Sequence, residues 1–391
     1  MLTGLVPAQA ASGLSVGWAV IDGDSTFFAF TRFLNRLLHG RADAQTSVRL
    51  EAAVPRYRAA LEPQAEWLAG QLERGDIVVL HDPPTLGLAP ALAAAGLKVV
   101  WHCHVGTTED QASGPPAVWH ALGTELSNVD LAVTALPEYA PQVVPPARRR
   151  VIAPALDPDS PKNRALSKSE VAELLSDAGH VEEDRTLPED APVVLQVSRW
   201  DPLKDMPGVL RCVSQLPPET HLVLAGNDPD EHDVEGWAVL DEVRALRADL
   251  PPADRARVHI VRPDGSDHER TALIVNALQR RADVVLQKSL AEGFGLTVTE
   301  AMAKGRAVVA SDVGGLRQQV SPGHNGLLVN PRNQDAVVDA LRTLLDDPLL
   351  RRRLGKRAAE SVSRRYLMPR LVSDYARFVA PDLHALAHEV A

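Results

Sequence analysis

Short, unbroken apolar runs punctuate the first part of the chain. Residues 15–21, 76–80, 98–103, 130–134 and 150–153 are rich in Val, Ile, Leu and Ala. Runs of this kind read as strands buried on both faces of a parallel sheet. Stretches with helical periodicity, 25–38 and 55–72, lie between them. Residues 154–192 are polar, with Pro, Asp and Glu in excess, and read as a connection carrying one short helix near 168–178.

The second half repeats the alternation. Strands are expected at 193–198, 221–225, 258–261, 283–287, 307–310 and 326–329, with helices between them. Three helical stretches close the chain at 334–345, 348–364 and 368–389. Alternating β and α segments predict an α/β chain of two doubly wound, Rossmann-like domains. The expected division is a first domain over 1–160, a linker over 161–190, a second domain over 191–365 and a final helix from 366. Ligands of such folds sit beyond the carboxyl ends of the strands, so the residues just after each strand carry the chemistry.

Composition narrows the picture. At 391 residues the chain is long enough for two cores. A net charge of -10 argues against a nucleic-acid protein, which would usually carry a basic patch. It leaves room for a small anionic ligand held by a few placed cations. Two cysteines, Cys103 and Cys212, make no disulfide framework and fit a reducing cytoplasm. No apolar run reaches the length of a membrane span and no leader peptide is visible. The oligomeric state stays open, with a homodimer among the options.

Arg199 and Lys204 follow the first strand of the second domain, in Ser198-Arg199-Trp200-Asp201-Pro202-Leu203-Lys204-Asp205. Two cations near a helix start suit a diphosphate. The alternative is a solvated loop. Glu292-Gly293-Phe294-Gly295-Leu296-Thr297-Val298-Thr299-Glu300 lies between a strand and a helix. Its glycines allow close backbone approach, and both glutamates can accept hydrogen bonds from sugar hydroxyls. The alternative is an ordinary acidic helix start. Val313-Gly314-Gly315-Leu316 reads as a third strand-to-helix turn, for packing or for ligand. In the first domain, His81-Asp82-Pro83 and Trp101-His102-Cys103-His104 each follow a strand. The histidines of either stretch could bind sugar hydroxyls. A zinc site is a rival, but no Cys-x-x-Cys pattern completes it, so no metal or other cofactor is expected.

Together these stretches resemble the retaining glycosyltransferases of GT-B fold, whose Glu-x7-Glu motif matches Glu292 to Glu300. Within that group the resemblance is to the trehalose glycosyltransferring synthases. Further matching stretches are Val79-Leu80-His81-Asp82-Pro83, Ile152-Ala153-Pro154 with Lys162-Asn163, and Val275-Asn276-Ala277-Leu278-Gln279. The resemblance implies a nucleoside-diphosphate-glucose donor and a glucose acceptor. Arg199 and Lys204 would neutralise the leaving diphosphate. Glu292 and the backbone of Gly293, Phe294, Gly295 and Leu296 would hold donor sugar and phosphate, and Glu300 the ribose. His104 would touch the donor sugar, with His81 and Asp82 towards the acceptor. The final helix would cross back onto the first domain. Retention is attributed in such enzymes to front-face attack, with no carboxylate nucleophile. A trehalose phosphorylase-like enzyme and a non-catalytic sugar-nucleotide-binding relative are the competing readings.

The sequence departs from this pattern in three places. The Gly-rich loop that touches the donor phosphates in relatives, and the strand before it, would precede Met1, so a late start or a shortened chain is the expectation. His102 stands where the pattern has Arg, and Val105-Gly106-Thr107 where it has an acidic residue.

Overall fold

The structure is a computed structural model that describes residues 2–108, 113–176, 187–231 and 233–379. The chain divides into two compact units. Unit 1 is Met1–Pro154 together with the segment from Met368, and unit 2 is Ala155–Leu367.

Unit 1 carries a four-stranded parallel sheet, β1 (Ile77–His81), β2 (Lys98–Cys103), β3 (Leu131–Thr134) and β4 (Arg149–Val151), in sequential order. β2 and β3 are almost wholly buried, as their continuous Val, Ala and Leu content requires. The helices Ser25–Leu38 and Thr46–Ala69 pack their apolar faces together. Leu34, Leu37, Leu50, Tyr57 and Leu61 meet Leu86, Leu92 and Trp101 in one core.

One expected strand does not form. Residues 14–24 adopt no regular structure, and Val16, Trp18 and Val20 point outward at 36%, 54% and 82% exposure. A strand needs a ladder partner, and this run is instead tied to the helix Thr46–Ala69 by side-chain bonds. Gln64 Nε2 donates to the Asp22 carbonyl and Gln64 Oε1 accepts from the Asp22 N–H. The apolar content that suggested a buried strand lies largely at the surface.

Unit 2 carries a six-stranded parallel sheet. Its strands are β5 (Val193–Val197), β6 (His221–Ala225), β7 (Val258–Val261), β8 (Val284–Gln287), β9 (Ala307–Ser311) and β10 (Leu327–Val329). The order is β10-β9-β8-β5-β6-β7. Strand order therefore reverses between β5 and β8, which pair in parallel at Val194–Val284 and Leu195–Val285. This is the switch point at which doubly wound sheets bind ligands.

The segment 161–190, expected as a linker, belongs to unit 2, and its described residues are packed there. Asn276 Nδ2 donates to the carbonyls of Pro161 and Arg164, both at 2.9 Å, and Arg280 Nη2 donates to Arg164 at 2.9 Å. Buried amides recruit this polar backbone because an unpaired carbonyl is costly. Its helix is Lys168–Ser176; residues 177–186 lie outside the described residues.

The helix Met368–Phe378 belongs to unit 1, where it packs against the helix Leu2–Ala11. The expected extension from 380 onward lies outside the described residues. Among the described residues no helix is long and apolar enough to cross a membrane.

Candidate active site

The loops after β5 and β8 are laced together at the switch point of unit 2. Gln196 is fully buried; its Nε2 donates to the Lys204 carbonyl and its Oε1 accepts from the Lys288 N–H, both at 2.7 Å. The Leu290 N–H donates to the Leu203 carbonyl at 2.7 Å. Asp205 takes the left-handed conformation at φ 45°, where Asp is among the few tolerated non-glycine residues. From there its carboxylate caps the next helix at the Gly208 N–H and pairs with the buried Lys288 ammonium.

This lacing brings Lys204 onto Glu292. Lys204 Nζ donates to Glu292 Oε2 at 2.7 Å, with the two side chains 14% and 11% exposed. The same oxygen accepts from the Ser289 hydroxyl at 3.0 Å. Arg199, from the same loop as Lys204, behaves differently. It is 77% exposed and contacts Asp201 at 3.3 Å, while Asp201 also caps Leu203.

Glu300 is not brought to Glu292. It lies one turn into the helix Leu296–Ala303, buried, with Oε1 3.3 Å from Lys162 Nζ and Oε2 3.3 Å from Gln279 Nε2. Lys304 follows that helix and donates to the Glu300 carbonyl and to Asn163 Oδ1, both at 3.3 Å. Burial pulls its ammonium down to about 7.

Gly295 caps the helix at φ 86°, a conformation that a side chain would strain. Phe294 turns its ring inward against Tyr366, 5.6 Å between centroids, so only its backbone is available to a ligand. A Cβ on Gly315 would lie 2.5 Å from Phe294 Cα. That contact gives the Val313-Gly314-Gly315-Leu316 turn a packing role. The start of the Leu296–Ala303 helix, with its N–H groups and dipole, is a natural phosphate seat.

In unit 1, β1 and β2 end side by side, with His81 opposite His102 in register. Asp82 follows β1 at φ 61° and turns its carboxylate back to accept the His104 N–H at 2.7 Å. The Trp101 indole N–H donates to the Asp82 carbonyl at 3.1 Å. His81 Nδ1 and His104 Nε2 share a hydrogen bond of 3.0 Å. His102 is fully buried and its Nδ1 is bonded to the Tyr375 hydroxyl. Burial, then repulsion from His104, lowers His81 to about 4; burial lowers His104 to about 4 and His102 well below its usual value. Burial raises Asp82 to about 6. Three neutral imidazoles thus stand beside one carboxylate at neutral pH.

Four contributors escaped sequence reasoning as site residues: Lys162, Gln279, Lys288 and Tyr375. Lys162 and Gln279 lie in stretches that match the resemblance, but nothing in their spacing points to Glu300. Lys288 carried a readable signal, a lysine directly after the buried run Val284–Gln287. Tyr375 carried none.

Two parallel α/β units, one with a Lys-Glu pair at its switch point, define a GT-B glycosyltransferase. Residues 1–141 match the family model for the trehalose synthase N-terminal domain, and residues 269–361 match glycosyl transferases group 1. The chain is 35% identical over 386 residues to a trehalose synthase from Rubrobacter xylanophilus, covering 96% of this chain and 85% of that one. It belongs to the trehalose synthase family. A trehalose phosphorylase from Pleurotus pulmonarius is 25% identical, over 92% of this chain and 52% of that protein. Among solved structures, the chain is similar to a UDP-forming α,α-trehalose-phosphate synthase from Burkholderia xenovorans in complex with glucose-6-phosphate. The TM-score is 0.68 at 16% identity, covering 93% of this chain and 90% of that one.

Proposed function

We propose that the chain is a retaining glucosyltransferase that moves glucose from a nucleoside-diphosphate glucose to free glucose, forming trehalose. The observation that carries this reading is the Lys204–Glu292 pair at the switch point, in a chain of the trehalose synthase family. Cleavage of a sugar–phosphate bond builds negative charge on the diphosphate and positive charge on the sugar ring. Lys204 and Arg199 stabilise the first, together with the start of the helix Leu296–Ala303. Fixed cations favour the transition state over the ground state because their partner's charge grows during the step. Glu292 holds the donor sugar and orients Lys204. Glu300 holds the ribose. His104 takes the donor sugar, and His81 and Asp82 the acceptor.

No metal or other cofactor is assigned to this reaction. The phosphorylase reading has the Pleurotus relative in its favour and differs in one reagent. The deciding assay offers uridine, adenosine and guanosine diphosphate glucoses with glucose, and separately trehalose with inorganic phosphate. Trehalose and nucleoside diphosphate released together support the proposal. Turnover only with phosphate replaces it with the phosphorylase.

A further inference from the structure

His81, His102 and His104 form the group of metal-ligating side chains that stands out among the described residues. One nitrogen from each lies within 4.8 Å of the other two. The expectation of no metal rested on the absence of a Cys-x-x-Cys pattern to complete the site. The structure supplies a third imidazole instead, because parallel pairing of β1 and β2 sets His102 beside His81 and its ring lies against His104, 4.1 Å between centroids.

We infer that this trio is a binding site for one divalent transition-metal ion of the zinc type, in competition with sugar. Three features favour this over simple packing. The first is His102 Nε2, which is buried and makes no hydrogen bond among the described residues. A buried polar nitrogen without a partner is costly, and a metal ion supplies the partner. The second is the Tyr375 hydroxyl on His102 Nδ1. Outer hydrogen bonds of this kind fix the tautomer that leaves the other nitrogen free to ligate. The third is spacing. Tetrahedral zinc with Zn–N bonds of about 2.0–2.1 Å puts its ligand nitrogens roughly 3.3 Å apart. His81 Nδ1 and His104 Nε2 are already at 3.0 Å, and no pair needs to close by more than about 1.5 Å.

On binding, the proton shared by His81 and His104 moves to the outer nitrogen of its ring, so each ligand stays neutral. Imidazole donors select zinc, cobalt or nickel over magnesium or calcium, which prefer oxygen. Three protein ligands leave a fourth position for water or a sugar hydroxyl. The ion is not needed for transfer. It occupies the nitrogens that the proposed function gives to sugar, so the inhibitory half of the inference rests on that reading, and the binding half does not.

The untagged full chain, free of substrates, is titrated with Zn2+ by calorimetry and with Co2+ by visible absorption. The expected result is one ion per chain with the intense bands of four-coordinate Co2+. His81→Gln and His104→Gln, checked for folding by circular dichroism, should abolish the bands. Tyr375→Phe should weaken Zn2+ about tenfold or more, as loss of an outer hydrogen bond does. His221→Gln, in the separate His221–His259 pair of unit 2, should change nothing. No stoichiometric binding, or Co2+ bands unchanged in folded His81→Gln and His104→Gln, overturns the inference. Bands without any turnover in the donor screen would sink the proposed function and leave the metal site standing.

Discussion

In unit 2, charge meets charge: Lys204 rests on Glu292, Lys288 on Asp205 and Lys162 on Glu300. In unit 1 the corresponding strand ends carry His81, His102 and His104, all pushed towards the neutral form by burial. The first arrangement is preorganised by ion pairs, which a donor phosphate would re-partition under the proposed function. The second is preorganised by hydrogen bonds to Asp82 and Tyr375, and under the proposed function it presents neutral donors and acceptors to sugar hydroxyls. A reaction that separates an anionic leaving group from an uncharged acceptor needs both, and the contrast suggests how the labour divides. In the proposed reaction the neutral side chains stabilise no ground-state charge, while the cations act where charge grows.

The sharpest way to break this comparison is at Lys204 and Arg199. Lys204→Ala should lower kcat/KM by about a hundredfold or more through loss of a transition-state charge partner. It should also cost on the order of 3 kcal/mol of stability, because Glu292 is left as a poorly solvated carboxylate. Arg199→Ala should cost activity by about a hundredfold with almost no stability change, since the side chain is mostly exposed. Near-normal kcat/KM in both variants would remove the cations from the site.

Glu300→Ala comes next. It should raise the donor KM about tenfold with a smaller effect on kcat, the mark of binding shared by ground and transition states. A pure kcat effect would move Glu300 from ribose binding to the reacting centre.

On the unit 1 side, Tyr375→Phe should cost about 1–3 kcal/mol, the penalty for leaving His102 Nδ1 buried and unpaired. A denaturant titration that shows no change would mean that the hydroxyl is not buried against the ring in solution.

The last test sharpens the electrostatic side. Lys304 has its pKa lowered to about 7 in the folded chain, below its ordinary value of 10.5. Below pH 7 it is charged in both states, and the cost of burying that charge is fully present. As pH rises from about 7 towards 10.5, only the unfolded chain keeps the extra proton, so wild-type stability recovers. Relative to Lys304→Met, the wild type should therefore gain stability across that window. Parallel stability curves for the two proteins would contradict the burial of the ammonium.

Much of this is legible in the sequence. β2, β6 and β7 fall where their unbroken apolar runs predicted, and the helix Ser25–Leu38 does so to the residue, because Asp24 caps it and its apolar period is strong. The α/β class follows from the same alternation, and the GT-B fold is implied by the resemblance of the stretches at Arg199–Lys204 and Glu292–Glu300. What failed was the run at 15–21, where apolar content could not reveal the missing ladder partner. The linker failed for the converse reason. Its polar backbone is held by Asn276 and Arg280, side chains over a hundred residues away, and no local pattern encodes such bonds. The site divides similarly. Lys204 and Glu292 stand in motifs, whereas Lys162, Tyr375 and the gathering of three histidines depend on tertiary register.

The return of the helix Met368–Phe378 to unit 1 has a consequence for the order of events during synthesis. His102 leaves the ribosome 273 residues before its partner Tyr375. At translation rates of about 5–20 residues per second, that is a wait of roughly 14–55 s. Unit 2 is translated whole within this interval and can fold as a continuous segment, while unit 1 still lacks its last helix. The buried histidine layer is therefore completed late. A nascent chain stalled before Met368 should hold a formed unit 2 and an unfinished, chaperone-accessible unit 1.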